Sequence, residues 1–183
     1  MRTPRTELNL TEWAVLALAA EGPTHGWAVA RLVGRGGPLG EAWSSSRPLV
    51  YRAIDHLVAD GLLRSAGRSE GRGPDRETVE ITDAGVEAVQ GWLQAPVDHV
   101  RDLRTTFLVK LLLLERQGED RGQLVERQRE LLAPVAGRLA GRAEQAVGPE
   151  RTIALWRAMN ADAAMRFLDA LGDGPAARPD ATG

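Results

Sequence analysis

The side chains best suited to recognition chemistry lie close together. Ser44, Ser45, Ser46 and Arg47 form one run, and Tyr51 and Arg52 follow a helical turn later. A guanidinium offers a planar fork of donors that matches two acceptors on one base edge, such as guanine O6 and N7. Hydroxyls, a phenol and a second arginine suit phosphate oxygens, which fix position without reading sequence. A second set, Arg68, Arg72 and Arg76, recurs every four residues in a Gly/Pro-rich segment. From Arg64 to Arg76 four Arg stand against Glu70 and Asp75. Each set also has a plainer reading as solvated surface, so its weight depends on the elements that carry it.

Other chemistries find little support. The chain has no cysteine, which excludes disulfides, thiolate metal sites and a cysteine nucleophile. His25, His56 and His99 are well separated. His25 reads as a helix-end or core residue, and the other two as surface residues. The serine triplet lacks a Gly-x-Ser-x-Gly setting. The glycines between Gly34 and Gly40 lack the Gly-Lys-Ser/Thr of a phosphate loop. Glu119 and Asp120 sit just before a helix, where negative charge suits the helix dipole. The expectation is therefore no enzyme, no metal and no cofactor.

Composition fits a globular chain, with 183 residues, 43% hydrophobic and 26% charged. The formal net charge is -2; residues 1–82 carry ten Arg and ten acidic residues, so global charge does not argue for a nucleic-acid partner. The apolar run from Ala14 to Ala20 is too short to cross a bilayer, and no signal-peptide pattern opens the chain. The expectation is a cytoplasmic protein with no membrane partner.

The elements that must position these side chains follow from periodicity. Leu8 to Ala20 reads as a helix capped by Asn9 or Thr11 and ended by Gly22-Pro23. A short helix over His25 to Val33 and a glycine-rich loop come next. A third helix runs from the serine caps through Arg47-Pro48 to about Asp60, with Gly61 as its C-terminal cap. Its apolar face holds Leu49, Val50, Ala53, Ile54, Leu57 and Val58, with Arg47, Tyr51, Arg52 and Asp55 opposite. Two short extended runs around a Gly/Pro/Arg tip then read as a β-hairpin. Three helices and a hairpin make a winged helix-turn-helix over residues 1–82, in which the N-terminal end of the third helix would meet base edges. Residues 83–171 read as all helix, with segments over Asp83–Leu93, Leu103–Gln117, Gln123–Val147 and Gly148–Leu171. Pro134 should bend or interrupt the third of these. Residues 172–183 read as a disordered tail.

Four stretches resemble, in order, the PadR family of bacterial transcriptional regulators. VLALAAEGPTHGW (Val15 to Trp27) is similar to the family's opening, and LVYRAIDHLVADGLL (Leu49 to Leu63) to its recognition helix and first wing strand. GPDRETVEITDAG (Gly73 to Gly85) is similar to the return strand and the threonine-capped helix after it. RTTFLVKL (Arg104 to Leu111) is similar to the C-terminal helical part of longer members. Three positions depart from the usual pattern. Trp27 stands where Tyr is common, Leu49-Val50 replace a small polar residue and Leu, and the wing is less basic.

The resemblance implies a mainly α fold, a winged helix-turn-helix followed by an all-α dimerisation domain. It also implies a homodimer that binds an operator in double-stranded DNA, as a repressor. Ile153, Trp156, Met159, Met165, Phe167 and Leu168 are the expected dimer interface, with intramolecular core as the plainer reading for each. A small aromatic effector is implied by analogy, with Trp27, Trp92, Phe107 and Trp156 as candidate pocket walls. Two other readings stay open: a winged-helix protein-interaction module, and a ligand-binding helical protein that does not read an operator.

Overall fold

A computed structural model of the chain describes residues 7–69 and 76–172, with the side chains of residues 68, 69 and 76 left aside. The chain divides into two compact units, Met1–Leu93 and Gln94–Gly183. The first therefore continues past Thr82 to take in the helix that follows the hairpin.

In the first unit, α1 (Leu10–Ala19), α2 (Gly26–Val33) and α3 (Arg47–Ala59) precede the antiparallel strands β1 (Leu63–Ser69) and β2 (Arg76–Ile81), and α4 (Asp83–Gln94) closes it. Asn9 begins α1 with a reciprocal cap. Its Oδ1 accepts from the backbone N–H groups of Thr11 and Glu12, while Glu12 Oε2 accepts from the Asn9 N–H at 2.8 Å. The apolar run that follows, Ala14 to Ala19, is buried on all sides and packs against α3 through Val50, Ala53, Ile54 and Leu57.

Gly61, at φ +74°, ends α3 in a conformation that favours glycine, and β1 starts two residues later. The β1–β2 register slips between Ser65 and Arg68, where Gly67 takes φ +95° and forms a bulge. Thr82 then ties hairpin to helix. Its hydroxyl donates to the carbonyls of Gly61 and Leu62 and accepts from the Gly85 N–H. A Cβ on Gly85 would run into the Leu62 carbonyl oxygen, so glycine is the residue that lets α4 begin this close to the strand.

The root of the hairpin has a third backbone partner. Thr24, just before α2, exchanges two hydrogen bonds with Val79, N–H to carbonyl at 2.9 Å and back at 2.8 Å.

The second unit holds a 3-10 turn, η1 (Val100–Arg104), and helices α5 (Thr106–Arg116), α6 (Gly122–Gln145) and α7 (Gly148–Gly172). The helix expected over Leu103–Gln117 is thus split at Thr105, whose φ and ψ of -130° and -82° are not helical. Pro134 lies inside α6 without interrupting it. α6 and α7 form a hairpin of long helices. The buried positions of α7, Ala154, Ala161 and Leu168, recur every seven residues, the spacing that keeps one seam facing a neighbouring helix.

Two buried polar side chains hold the entry segment of this unit. Gln128 accepts from the Val97 N–H at 2.7 Å and donates to its carbonyl at 2.9 Å. Lys110, 2% exposed, donates to the Ala95 carbonyl at 2.6 Å. Burial lowers its pKa from the ordinary 10.5 to about 8, against the opposing pull of Asp98.

Candidate nucleic-acid interface

α3 presents one face to the core and the other to solvent. Ser44, Ser46, Arg47, Tyr51, Arg52 and Asp55 are all exposed, and they cluster at the N-terminal end of the helix. Pro48 in the first turn gives up no helical hydrogen bond there, and the Ser46 side chain makes no capping bond. The first turn of α3 carries no acidic residue. Such a helix end suits an anionic partner.

Ser45 departs from its neighbours. It is 8% exposed, and its hydroxyl meets Thr11 Oγ1 at 3.2 Å, so it ties the start of α3 to α1 instead of facing solvent. Leu49 and Val58, expected on the apolar face, are 45% and 39% exposed and lie at its two margins. His56, expected at the surface, is only half-exposed. Its Nδ1 stands 3.0 Å from Oε1 of the fully buried Glu12. A carboxylate can only accept, so the proton lies on Nδ1 and the ring anchors the outer half of α3 to the cap of α1. The sequence carries no local sign of this pair, whose members are 44 positions apart.

In the wing, Arg68 and Arg76 fall on β1 and β2, where Arg68 pairs across to Glu77 and Ser69 to Arg76. Arg72 lies outside the described residues. Arg64, on β1, is engaged with Glu80 at 2.6 Å. Beside α3, His25 caps α2 by accepting from the Ala28 N–H at 3.0 Å, which puts its proton on Nε2. A cleft of about 160 Å³ opens between His25, Gly26, Tyr51, Asp55 and Glu77.

The four candidate pocket residues have different surroundings. Trp27 is half-buried under Arg31, whose guanidinium carbon lies 4.9 Å from the ring centroid. Trp92 stacks on Trp13 with centroids 5.1 Å apart and planes 6° from parallel. Phe107 is fully enclosed in the core of the second unit and is not a pocket wall. Trp156, 69% exposed, does line a groove of about 610 Å³, together with Leu103, Leu108, Leu139 and Phe167, with Arg101, Arg104 and Arg157 at its edge.

Of the expected interface residues, Ile153, Trp156, Met159 and Phe167 are exposed on α7 and Met165 is half-buried. Leu168 belongs to the intramolecular seam with α6 and is closed to a partner. Leu155 is an exposed apolar residue that helical spacing alone did not single out, and Val147, expected on the apolar stripe of the preceding helix, is 78% exposed. Among the described residues no cluster of His, Cys, Asp or Glu could hold a metal ion, and no helix is long and apolar enough to cross a membrane.

Three helices, a presented third helix and a two-stranded wing define a winged helix-turn-helix protein. Residues 15–91 match the model of the transcriptional regulator PadR-like family, a span just short of half the chain. The matched span lies within the first unit. Among solved structures the chain is similar to Bacillus subtilis PadR in complex with operator DNA, at 16% identity and a TM-score of 0.47, covering 91% of this chain and 99% of that one. It is also similar to a PadR-like transcriptional regulator from Bacillus cereus, at 16% identity and a TM-score of 0.40, covering 89% and 96%. Curated proteins give no match.

Proposed function

We propose that this chain is a cytoplasmic, homodimeric repressor that reads an operator in double-stranded DNA through α3 and the wing. The observation that carries the reading is the exposed N-terminal end of α3, where Arg47, Tyr51 and Arg52 stand together on a helix whose other face is core. Arg47 reads a base edge, and Arg52, Ser44 and Ser46 meet phosphates. Arg68, Arg72 and Arg76 supply the wing's charge. Two half-sites about one helical turn apart need two copies of the domain. The exposed apolar residues of α7 offer the surface to join them.

A small aromatic effector that releases the dimer from DNA fits the groove beside Trp156 and Phe167, whose arginine edge favours an anionic one. Such a ligand acts only if it binds the DNA-incompetent dimer more tightly than the competent one.

The test is a fluorescence-anisotropy titration with the protein's own upstream intergenic DNA across a salt series. Specific binding whose log affinity falls steeply with log salt, at roughly 0.9 per phosphate neutralised, is the expected result. Absence of binding to any duplex at low salt removes the DNA reading and leaves a protein-interaction module.

A further inference from the structure

Tyr51 has two neighbours that bear on how Arg47 is held. One is Gly26, the first residue of α2. A Cβ there would stand 2.8 Å from Tyr51 Cε1 and 2.9 Å from Cζ, so the phenol ring rests directly on the α2 backbone. The other is Arg47, whose guanidinium carbon lies 5.9 Å from the ring centroid, within the ~6 Å range of a cation–π contact. The Tyr51 ring thus has the α2 backbone at Gly26 and a guanidinium from the first turn of α3 as neighbours. A long arginine at an exposed helix end otherwise samples many rotamers, and ordering it on binding costs affinity.

We propose that Tyr51 is a positioning residue for base reading: its ring, seated on Gly26, holds the Arg47 guanidinium in the orientation that meets the base edge. The role belongs to the ring face and not to the hydroxyl. It rests on the reading of α3 as the DNA-reading helix.

The experiment uses the full-length protein and a pool of random-sequence duplexes, with bound duplexes sequenced to give a preference at each position. Arg47→Ala identifies the position that Arg47 reads. Tyr51→Leu is expected to flatten preference at that same position, roughly tenfold, while preference elsewhere and the salt slope stay as in the wild type. Tyr51→Phe is expected to keep both. Gly26→Ala, which pushes the ring off its seat, is expected to reproduce the Tyr51→Leu pattern; it also carries the test if Tyr51→Leu fails to fold.

The proposal is overturned if Tyr51→Phe weakens binding to all sequences and lowers the salt slope by about one, the mark of a hydroxyl on a phosphate. It is equally overturned if Tyr51→Leu and Gly26→Ala leave Arg47's position intact. A wild-type protein that binds no duplex overturns the DNA reading itself, and the positioning role with it. Binding with even preference at every position refutes base reading, and the positioning role with it, while DNA binding itself stands.

Discussion

Glu12 serves two partners from full burial. One carboxylate oxygen closes the α1 cap on Asn9, and the other receives the His56 ring proton from the middle of α3. Truncation removes the acceptor of both the Asn9 N–H and the His56 ring proton, two hydrogen bonds worth roughly 0.5–1.5 kcal/mol each. Glu12→Ala should therefore lower the unfolding free energy by that amount and the urea midpoint with it, while Glu12→Gln, which can still accept from Asn9, should lose less. Equal midpoints for the alanine variant and the wild type would remove the anchoring role.

Lys110 gives a pH signature. Its folded pKa, about 8, lies below the ordinary 10.5, so the folded state sheds the proton first. Between about pH 8 and 10.5 the unfolded chain holds more protons, and stability rises with pH through that window. Below pH 8 the burial penalty is fully present and this contribution is flat. Denaturation midpoints of wild type and Lys110→Met across pH 7 to ~10.5 test this: the rise should be present in the first and missing in the second.

At the scale of elements, the first unit was largely legible in the sequence and the second less so. Caps and breakers bound α1, α2 and α3 to within about two residues, because Asn9, Gly22-Pro23, Pro48 and Gly61 act locally. Thr82 and the alternation of Thr78 to Ile81 marked the return from strand to helix in the same way. The break at Thr105 was hidden because the leucines around it suit a buried helix in any register. Ser45 and His56 were misplaced for a different reason. Their partners, Thr11 and Glu12, lie 34 and 44 residues away, and no local pattern encodes such a meeting.

Pro134 shows an element overriding a propensity. It has no N–H to donate within α6, yet the helix runs unbroken from Gly122 to Gln145 because its buried face is packed against α7. Replacing this exposed residue by alanine restores a donor and a better helix former. Pro134→Ala should raise the melting free energy by roughly 1–3 kcal/mol. An unchanged thermal melt would show that the helix has already accommodated the ring at no cost.

At the scale of the whole molecule, α7 carries the residues through which two copies would join. Ile153, Trp156 and Met159 are each more than half exposed, an uncommon display of large apolar side chains on one helix. Trp156→Asp with Met159→Asp should shift sedimentation from dimer to monomer while leaving the helical signal in circular dichroism unchanged. It should also weaken operator binding, since each half-site would then be occupied alone. A variant that sediments as the wild type would place the interface elsewhere.

The bond pair between Thr24 and Val79 has a mechanical consequence. At Val79, β2 is tied on both edges, to Ser65 of β1 on one side and to the residue before α2 on the other. The wing is therefore built into the wall at its root, and among its described residues the register slips farther out, where Gly67 bulges. Any swing of β2 at Val79 would have to break the Thr24 bond pair as well as the ladder with β1.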